Sequence, residues 1–366
     1  MKIVIKREEL LEPLIKIGGI VERRQTLPIL ANILVNAGND LLNLTATDLE
    51  VELKTQTTAK TESDMDFTMP ARKVLDICKA LPENAEITFN IDTDKATIRS
   101  GRSRFTLGTL PAQDYPVIEA TTGNNVFTIK EKDLKNLLDK TSFAMAQQDV
   151  RYYLNGMLLE IRNNLIRSVA TDGHRLALSQ IDNLTSDLPD LQVILPRKAV
   201  LELSRLLSEQ DTEIKVELSN SYIKVLLTNS IFTSKLIDGR FPEYQRVMPS
   251  HTDKLLNADK NHLKQSLTRA SILSNEKYRG ILFSVDDGTL KLQAHNPEHE
   301  EAEEELEVKY QGEDIKIGFN VGYLLDAINV INESSITIEL KDANSSALIY
   351  GNENDSSKYV VMPMRL

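Results

Sequence analysis

Apolar residues recur at spacings of three and four in REELLEPLIKIGGIV near the start of the chain, in KEKDLKNLLDKTSFAM near residue 131, and in DKNHLKQSLTRASIL near residue 260. Each stretch presents one apolar stripe and is expected to be helical. MPARKVLDICKAL, LPRKAVLELSRLL and FNVGYLLDAINVI read the same way, and in the first two a proline, Pro70 or Pro196, opens the helix. Its fixed φ suits a first helical position, where the missing N–H leaves no bond unmade. Between these stretches the period changes to two. GMLLEIRN, LIRSVATD, LALSQI, EIKVELS, YIKVLLT and IFTSKLI alternate as half-buried strands do. Only two to five polar residues join them, too few for the crossover that parallel neighbours require. The expected class is α+β, with helices on antiparallel sheets.

The pattern is written three times. Asp48 in LLNLTATDLEVEL, Asp172 in LIRSVATDGHRLAL and Asn296 in LKLQAHNPEHEEA follow apolar strands at steps of 124 residues. Pro70 and Pro196 stand 126 apart, with Asn320 at the like position 124 further on, and Tyr115-Pro116 returns 126 residues later as Phe241-Pro242. Such a period marks a repeated structural unit. Three copies of about 122 residues fill the 366-residue chain, each doubled internally as a helix plus strands twice over. Pro/Gly/polar stretches around residues 111 to 125 and 238 to 257 read as linkers, which sets domains at 1–122, 123–250 and 251–366.

Composition narrows the picture. With 41% hydrophobic and 27% charged residues the chain is globular. No apolar run approaches the ~20 residues of a membrane span, and MKIVIKREELLEPL meets charges before any signal-peptide core, so a soluble, cytoplasmic protein with no membrane partner is expected. A lone cysteine, Cys78, excludes an intramolecular disulfide and a cysteine metal cluster, and its apolar helical setting reads as core. Net charge is -11, so attraction to nucleic acid must come from local segregation of charge. Basic residues do cluster on the expected helices: Arg72, Lys73 and Lys79; Lys130, Lys132, Lys135 and Lys140; Arg197, Lys198 and Arg205; Lys264 and Arg269. The plainer reading is solvated helix faces; facing one way, they would offer phosphates a mildly basic surface. A basic strand, IRSGRSRFTL, lies in the first copy and an acidic one, EHEEAEEELEV, in the third. Opposite charge at the two ends predicts head-to-tail association of two chains, able to close into a ring.

Catalytic signatures are weak. His295, Glu298 and His299 satisfy H-x-x-E-H, but Pro297 inside the motif would break the helix that stacks two such histidines on one metal. The stretch also aligns with the turns TATDLE and VATDGH, so a surface turn is expected. His174 has no nucleophile motif or fixed acidic partner beside it. Neither phosphate-binding glycine motif appears. No catalytic residue, metal or cofactor is expected.

TLPILAN, TATDLE, PARKVLDIC, RSGRSRFTLGTLPAQDYP, QDVRYYLNGML, VATDGHRLAL, PRKAV, FTSKLIDGRFPEY, ILSNEKYRGI, NPEHEEAEE, IGFNVGYLLD and YVVMPMRL together resemble the bacterial DNA polymerase III beta subunits, the replicative sliding clamps, from end to end. The resemblance implies the DNA-clamp fold: three similar domains, each with two helices on antiparallel sheets, in a head-to-tail homodimeric ring threaded by duplex DNA. It implies a non-catalytic processivity factor whose partners are the DNA polymerase III catalytic subunit, an ATP-dependent clamp loader, and other polymerases and repair factors that bind through short peptide motifs. The DNA-facing positions it implies are Arg24, Arg72, Gln148, Tyr152, Tyr153, Gly173, His174, Arg175, Arg197 and Lys198. The implied peptide pocket comprises Arg151, Leu154, Thr171, Gly173, His174, Arg175, Leu176, Pro242, Arg246, Val247, Tyr323, Ser346, Val360, Met362, Pro363, Met364 and Arg365. The implied dimer interface sets Lys73, Arg102, Arg104, Phe105 and Leu107 of one chain against Ile272, Leu273, Glu298, Glu300, Glu301, Glu303 and Glu304 of the other.

Overall fold

Six amphipathic stretches fold as helices in the computed structural model, which describes residues 2–21, 27–119, 123, 125–182, 188–250, 252–352 and 356–365. They are α1 (Arg7–Ile17), α2 (Ala71–Ala80), α3 (Glu131–Thr141), α4 (Arg197–Leu206), α5 (Lys260–Ser271) and α6 (Val321–Val330). Burial follows the apolar stripe: α2 buries Ala71, Val74 and Cys78 and leaves Arg72 and Lys73 exposed. Burial also pushes the Cys78 thiol up to about 11, so it is a core group and not a reactive one. The helix starts differ in detail from expectation. Pro70 is the N-cap of α2 and not its first residue. At the like position of α6, Asn320 Oδ1 accepts from the amides of Gly322 at 2.9 Å and Tyr323 at 3.3 Å, satisfying donors that a helix start leaves orphaned. A short strand also precedes the first helix of each copy, Lys2–Lys6, Asn125–Lys130 and Lys254–Asp259, which the helical period of the following residues obscures.

The chain folds as two compact units, residues 1–132 with 201–236 and residues 133–200 with 237–366. Among the described residues the first unit holds sheets of five and eight strands and the second holds sheets of nine and four, every pairing antiparallel. Apolar residues from the inner positions of these strands, such as Phe89, Phe127, Phe232, Phe283 and Phe319, are buried. The stretches expected to be linkers are pinned down by their aromatics. Tyr115 and Phe241 are buried, and the Tyr115 hydroxyl donates to the Asn32 carbonyl at 3.2 Å.

Strands of successive copies pair in the two large sheets. Val51–Thr58 pairs with Ser230–Lys235, placing Leu53 opposite Phe232. Arg175–Ile181 pairs with Ser357–Val361, placing Ala177 opposite Tyr359. These seams share one register. Leu53 and Ala177 face Ala46 and Ala170 across their own hairpins, while Phe232 and Tyr359 end the matching rows Val216–Val225–Phe232 and Ile338–Ile349–Tyr359. The repeat supplies a third set. Ala302 faces Ala294, and Phe105 ends the row Phe89–Ile98–Phe105. Both belong to outermost strands: Ser103–Gly108 ends the five-stranded sheet and Glu301–Glu307 ends the four-stranded one.

The basic segment is a hairpin rather than one strand. Lys95–Ser100 and Ser103–Gly108 are joined at Gly101, whose φ of 55° is reached by glycine without strain, and at Arg102. The H-x-x-E-H segment forms the turn between Thr289–His295 and Glu301–Glu307, so no helix stacks His295 over His299.

Candidate binding pocket and edge strands

In the second unit the seam between Arg175–Ile181 and Ser357–Val361 floors a cavity of about 170 Å³. Leu176 and Val360 stand opposite each other in that seam. Around them lie Arg151, Tyr153, Leu154, Thr171, Gly173, Arg175, Pro242, Glu243, Tyr244, Val247 and Met362. The site is apolar at its base and ionic at its rim, the profile of a small-ligand or peptide site.

Its rim is built from short-range chemistry. Asp149 and Asn155 clasp each other: the Asn155 side chain accepts from the Asp149 amide and donates to its carbonyl, each at 2.9 Å. The Asp149 carboxylate receives Arg151 Nε at 3.0 Å and Nη2 at 2.9 Å, and those bonds lower its pKa to about 2. Gly173, at φ 91°, takes a backbone conformation that favours glycine, and an added Cβ would also stand 3.1 Å from Arg151 Nη2, forcing the guanidinium to give way slightly. In that turn the Asp172 carboxylate accepts the amides of His174 at 2.9 Å and Arg175 at 3.1 Å. Asp48 does the same for Glu50 and Val51, and Asn296 does so for Glu300. The three aligned residues are thus one turn device.

Arg175 is a structural hub. Its Nε reaches Asp172 at 3.1 Å, Nη1 pairs with Asp326, and Nη2 donates to the Phe143 carbonyl at 2.7 Å. The guanidinium also lies 4.6 Å from the Tyr323 ring centre and 5.3 Å from that of Phe143. Its charge is therefore engaged by groups of the protein at the edge of the pocket. Tyr323 stacks on His174 with ring centres 6.5 Å apart. Of the remaining pocket positions, exposed Arg246 pairs with Glu243 at 2.6 Å, and Ser346, Pro363, Met364 and Arg365 stand outside the cavity lining. The tail is tied by the Met362 amide to the His174 carbonyl at 2.9 Å and by the Met364 amide to the Gly318 carbonyl at 2.8 Å. Tyr153, expected to face DNA, also lines the cavity, and Glu243 and Tyr244 line it without having been anticipated. Tyr244 stands just past the recurring aromatic–proline pair, which is the signal that marks the segment.

Among the expected DNA-facing positions, Arg24 lies outside the described residues. Gln148 and Tyr152 are exposed beside Val150, which is 96% exposed. Arg72 is exposed, and Arg197 and Lys198 are half-buried. Arg197 donates to the Met145 carbonyl at 3.2 Å; its pKa is lowered chiefly by burial and then by the nearby Arg175 charge, and it remains a cation at any ordinary pH.

On the edge strands, alternation sorts the charges. Glu301, Glu303 and Glu305 point to the exposed side of their strand, while Ala302 and Glu304 turn the other way. There Arg269 binds Glu304 at 2.5 Å, so Glu304 is not on the face it shares in sequence with Glu301. Lys291 pairs with Glu303 at 2.6 Å. On the other edge Arg104 and Thr106 are exposed, Phe105 is half-covered and Leu107 is buried. Ile272, just past α5, is 73% exposed; Leu273 is half-covered, and Lys73, Glu298 and Glu300 are exposed.

Residues 1–119 match the N-terminal domain of the DNA polymerase III beta subunit, residues 128–243 its central domain, and residues 245–365 its C-terminal domain. The beta sliding clamp of Pseudomonas aeruginosa is 51% identical and that of Escherichia coli K12 46% identical, each over the full length of both chains. The crystal structure of the Pseudomonas aeruginosa DNA polymerase III subunit beta superposes with a TM-score of 0.96 over both whole chains at 51% identity. A second structure from that organism, bound to griselimycin, gives 0.95 at the same identity and coverage.

Proposed function

Because the chain belongs to the DNA polymerase III beta subunit family and is thereby a sliding clamp, the non-catalytic processivity subunit of DNA replication, we infer that two copies close head to tail into a ring around duplex DNA. The observation that carries this is the shared register of the two seams within the chain and the two edge strands left over. Continuing the register places Phe105 of one protomer opposite Ala302 of the other, Arg104 opposite Glu303, and Arg102 opposite Glu305. That joins a five-stranded to a four-stranded sheet, giving nine strands as in the second unit. Opposite charges then sit directly across the strand pair, where they favour this register over a slip. Each chain offers one edge of each kind, so two junctions close a dimer.

A ring holds DNA topologically. Weak, sequence-blind phosphate contacts from Arg72, Gln148, Tyr152, Arg197 and Lys198 are then sufficient, and a net charge of -11 discourages binding elsewhere. The pocket over Leu176 and Val360 receives an extended apolar peptide segment of the polymerase catalytic subunit, of an ATP-dependent loader that opens the ring, or of other polymerases and repair factors, acting in the cytoplasm without a cofactor. Griselimycin is expected to compete for it. The junction is tested by pairing Arg104→Cys with Glu303→Cys in one chain and oxidising: a covalently closed dimer is expected, whereas Arg104→Cys with Glu304→Cys, on opposite faces, should not cross-link. Equal cross-linking of both pairs, or of neither, overturns the register.

A further inference from the structure

Beside the pocket, on the sheet face that also carries Leu158 and Val169, lies a polar row. Gln192, Glu160, Arg167 and Gln180 stand in register across four neighbouring strands. Glu160 is 2% exposed. Gln192 Nε2 donates to its Oε1 at 2.6 Å, Arg167 Nη1 approaches Oε2 at 3.4 Å, and Arg167 Nε reaches Gln180 at 2.8 Å. The remaining partner comes from outside the sheet: the Tyr244 hydroxyl donates to Glu160 Oε2 at 2.6 Å. Tyr244 belongs to the short helical turn Tyr244–Val247, and it lines the pocket together with Pro242, Glu243 and Val247. A buried carboxylate therefore grips the segment that forms one pocket wall.

The first copy of the repeat supplies an internal comparison. Its matching row is Asp66, Asn36, Asn43 and Gln56, with neutral Asn36 where the second copy has Glu160. Three residues past the aromatic of the Tyr-Pro pair stands Ile118 in place of Tyr244, and its amide comes down on the carboxylate of Glu52 at 2.9 Å. Glu52, opposite Thr47 in its hairpin, corresponds to Leu176 opposite Thr171. In the first copy the segment thus rests on the seam, while in the second it is held by its tyrosine over an open apolar floor. The third copy puts Ser284 at the place of Glu160, between Lys316 and Lys291.

We propose that Glu160 and Tyr244 form a strut that positions the pocket wall and thereby sets its affinity for partner peptides, an inference that rests on the peptide reading of the pocket given above. Neither side chain needs to recognise sequence; the strut fixes the distance between Val247 on the wall and Val360 on the floor, so a bound segment meets a preformed slot instead of ordering one. A buried carboxylate–phenol bond is suited to this because its alternative, an unsatisfied buried oxygen, is costly.

The test uses the full-length protein and fluorescein-labelled peptides carrying two adjacent large apolar residues between polar ones, read by anisotropy and stopped flow. Tyr244→Phe should weaken binding about tenfold, chiefly through faster release, with dimer sedimentation unchanged. Glu160→Gln, which keeps the shape and an acceptor oxygen, should weaken it about threefold, and the double variant should bind no more weakly than Tyr244→Phe alone. Leu176→Asp tests the pocket itself. If Leu176→Asp abolishes binding while Tyr244→Phe and Glu160→Gln stay within twofold of wild type, the strut is refuted and the pocket stands. If Leu176→Asp leaves binding intact, the pocket reading fails and the strut falls with it. Additive losses in the double variant also overturn it, since two ends of one strut cannot act independently.

Discussion

Replacing Ile272 with Ala should dissolve the dimer, and the size of the effect follows from the repeat. Gly19, Phe143 and Ile272 each stand two residues beyond a buried helix position, Ile17, Thr141 and Ala270. At the first seam a Cβ on Gly19 would overlap the side chains of Glu202 and Arg205. At the second, the Phe143 ring lies 5.9 Å from that of Tyr359 and its carbonyl is held by Arg175. The corresponding Ile272 is 73% exposed in the single chain, and in the proposed ring it fills the junction between chains. Ile→Ala deletes three carbons, and at ~0.8 kcal/mol for each one buried, scaled by the surface still open, the loss is about 2 kcal/mol per junction. Two identical junctions make about 4 kcal/mol, close to a thousandfold in dimer dissociation constant. Sedimentation velocity across a dilution series reads this directly, with Val150→Ala, truncating a still more open apolar residue, as the control. A dissociation constant within threefold of wild type for Ile272→Ala would refute the assignment of that side chain to the junction.

Reversing Arg102 and Arg104 to Glu should weaken the dimer most at low salt, and adding Glu303→Arg and Glu305→Arg should restore it better than changes at Glu301 and Glu304; salt-independent sedimentation would count against the cross-strand pairs. Deleting residues 362–366 should abolish peptide binding while leaving the circular dichroism spectrum and the dimer intact, because the tail is held by few bonds. Burial raises the Glu160 pKa, but hydrogen bonds from Tyr244 and Gln192 and the Arg167 charge outweigh it, leaving it below the ordinary 4.5. With a depressed carboxylate the stabilisation is complete above 4.5 and is lost as pH falls through the lowered value. The urea midpoint of wild type should therefore exceed that of Glu160→Gln by a constant margin from pH 8 to about 5, and the margin should close in stronger acid.

What could be read from sequence divides along physical lines. The three turns at Asp48, Asp172 and Asn296 and the six helices were legible because their chemistry is local: a carboxylate or amide two to four residues from the N–H it caps, or apolar side chains one turn apart. The hairpin at Gly101 was missed because its polar residues alternate through the turn as they would in a strand. The role of Arg175 was unreadable, since Asp326 and Phe143 reach it only after three distant segments meet. The row through Glu160 was equally hidden: its members lie at 160, 167, 180 and 192 and become neighbours only through strand register. The same holds for Glu304, whose turn away from Glu303 is a consequence of strand alternation that a cluster of acids in sequence conceals.

The central claim, that DNA is held by enclosure and not by affinity, is tested most directly on nicked circular DNA. After loading by the ATP-dependent loader, the protein should co-elute with the circle at a salt concentration that strips ordinary phosphate contacts, and it should leave promptly when one restriction cut makes the DNA linear. Equal retention on circular and linear DNA would contradict the account.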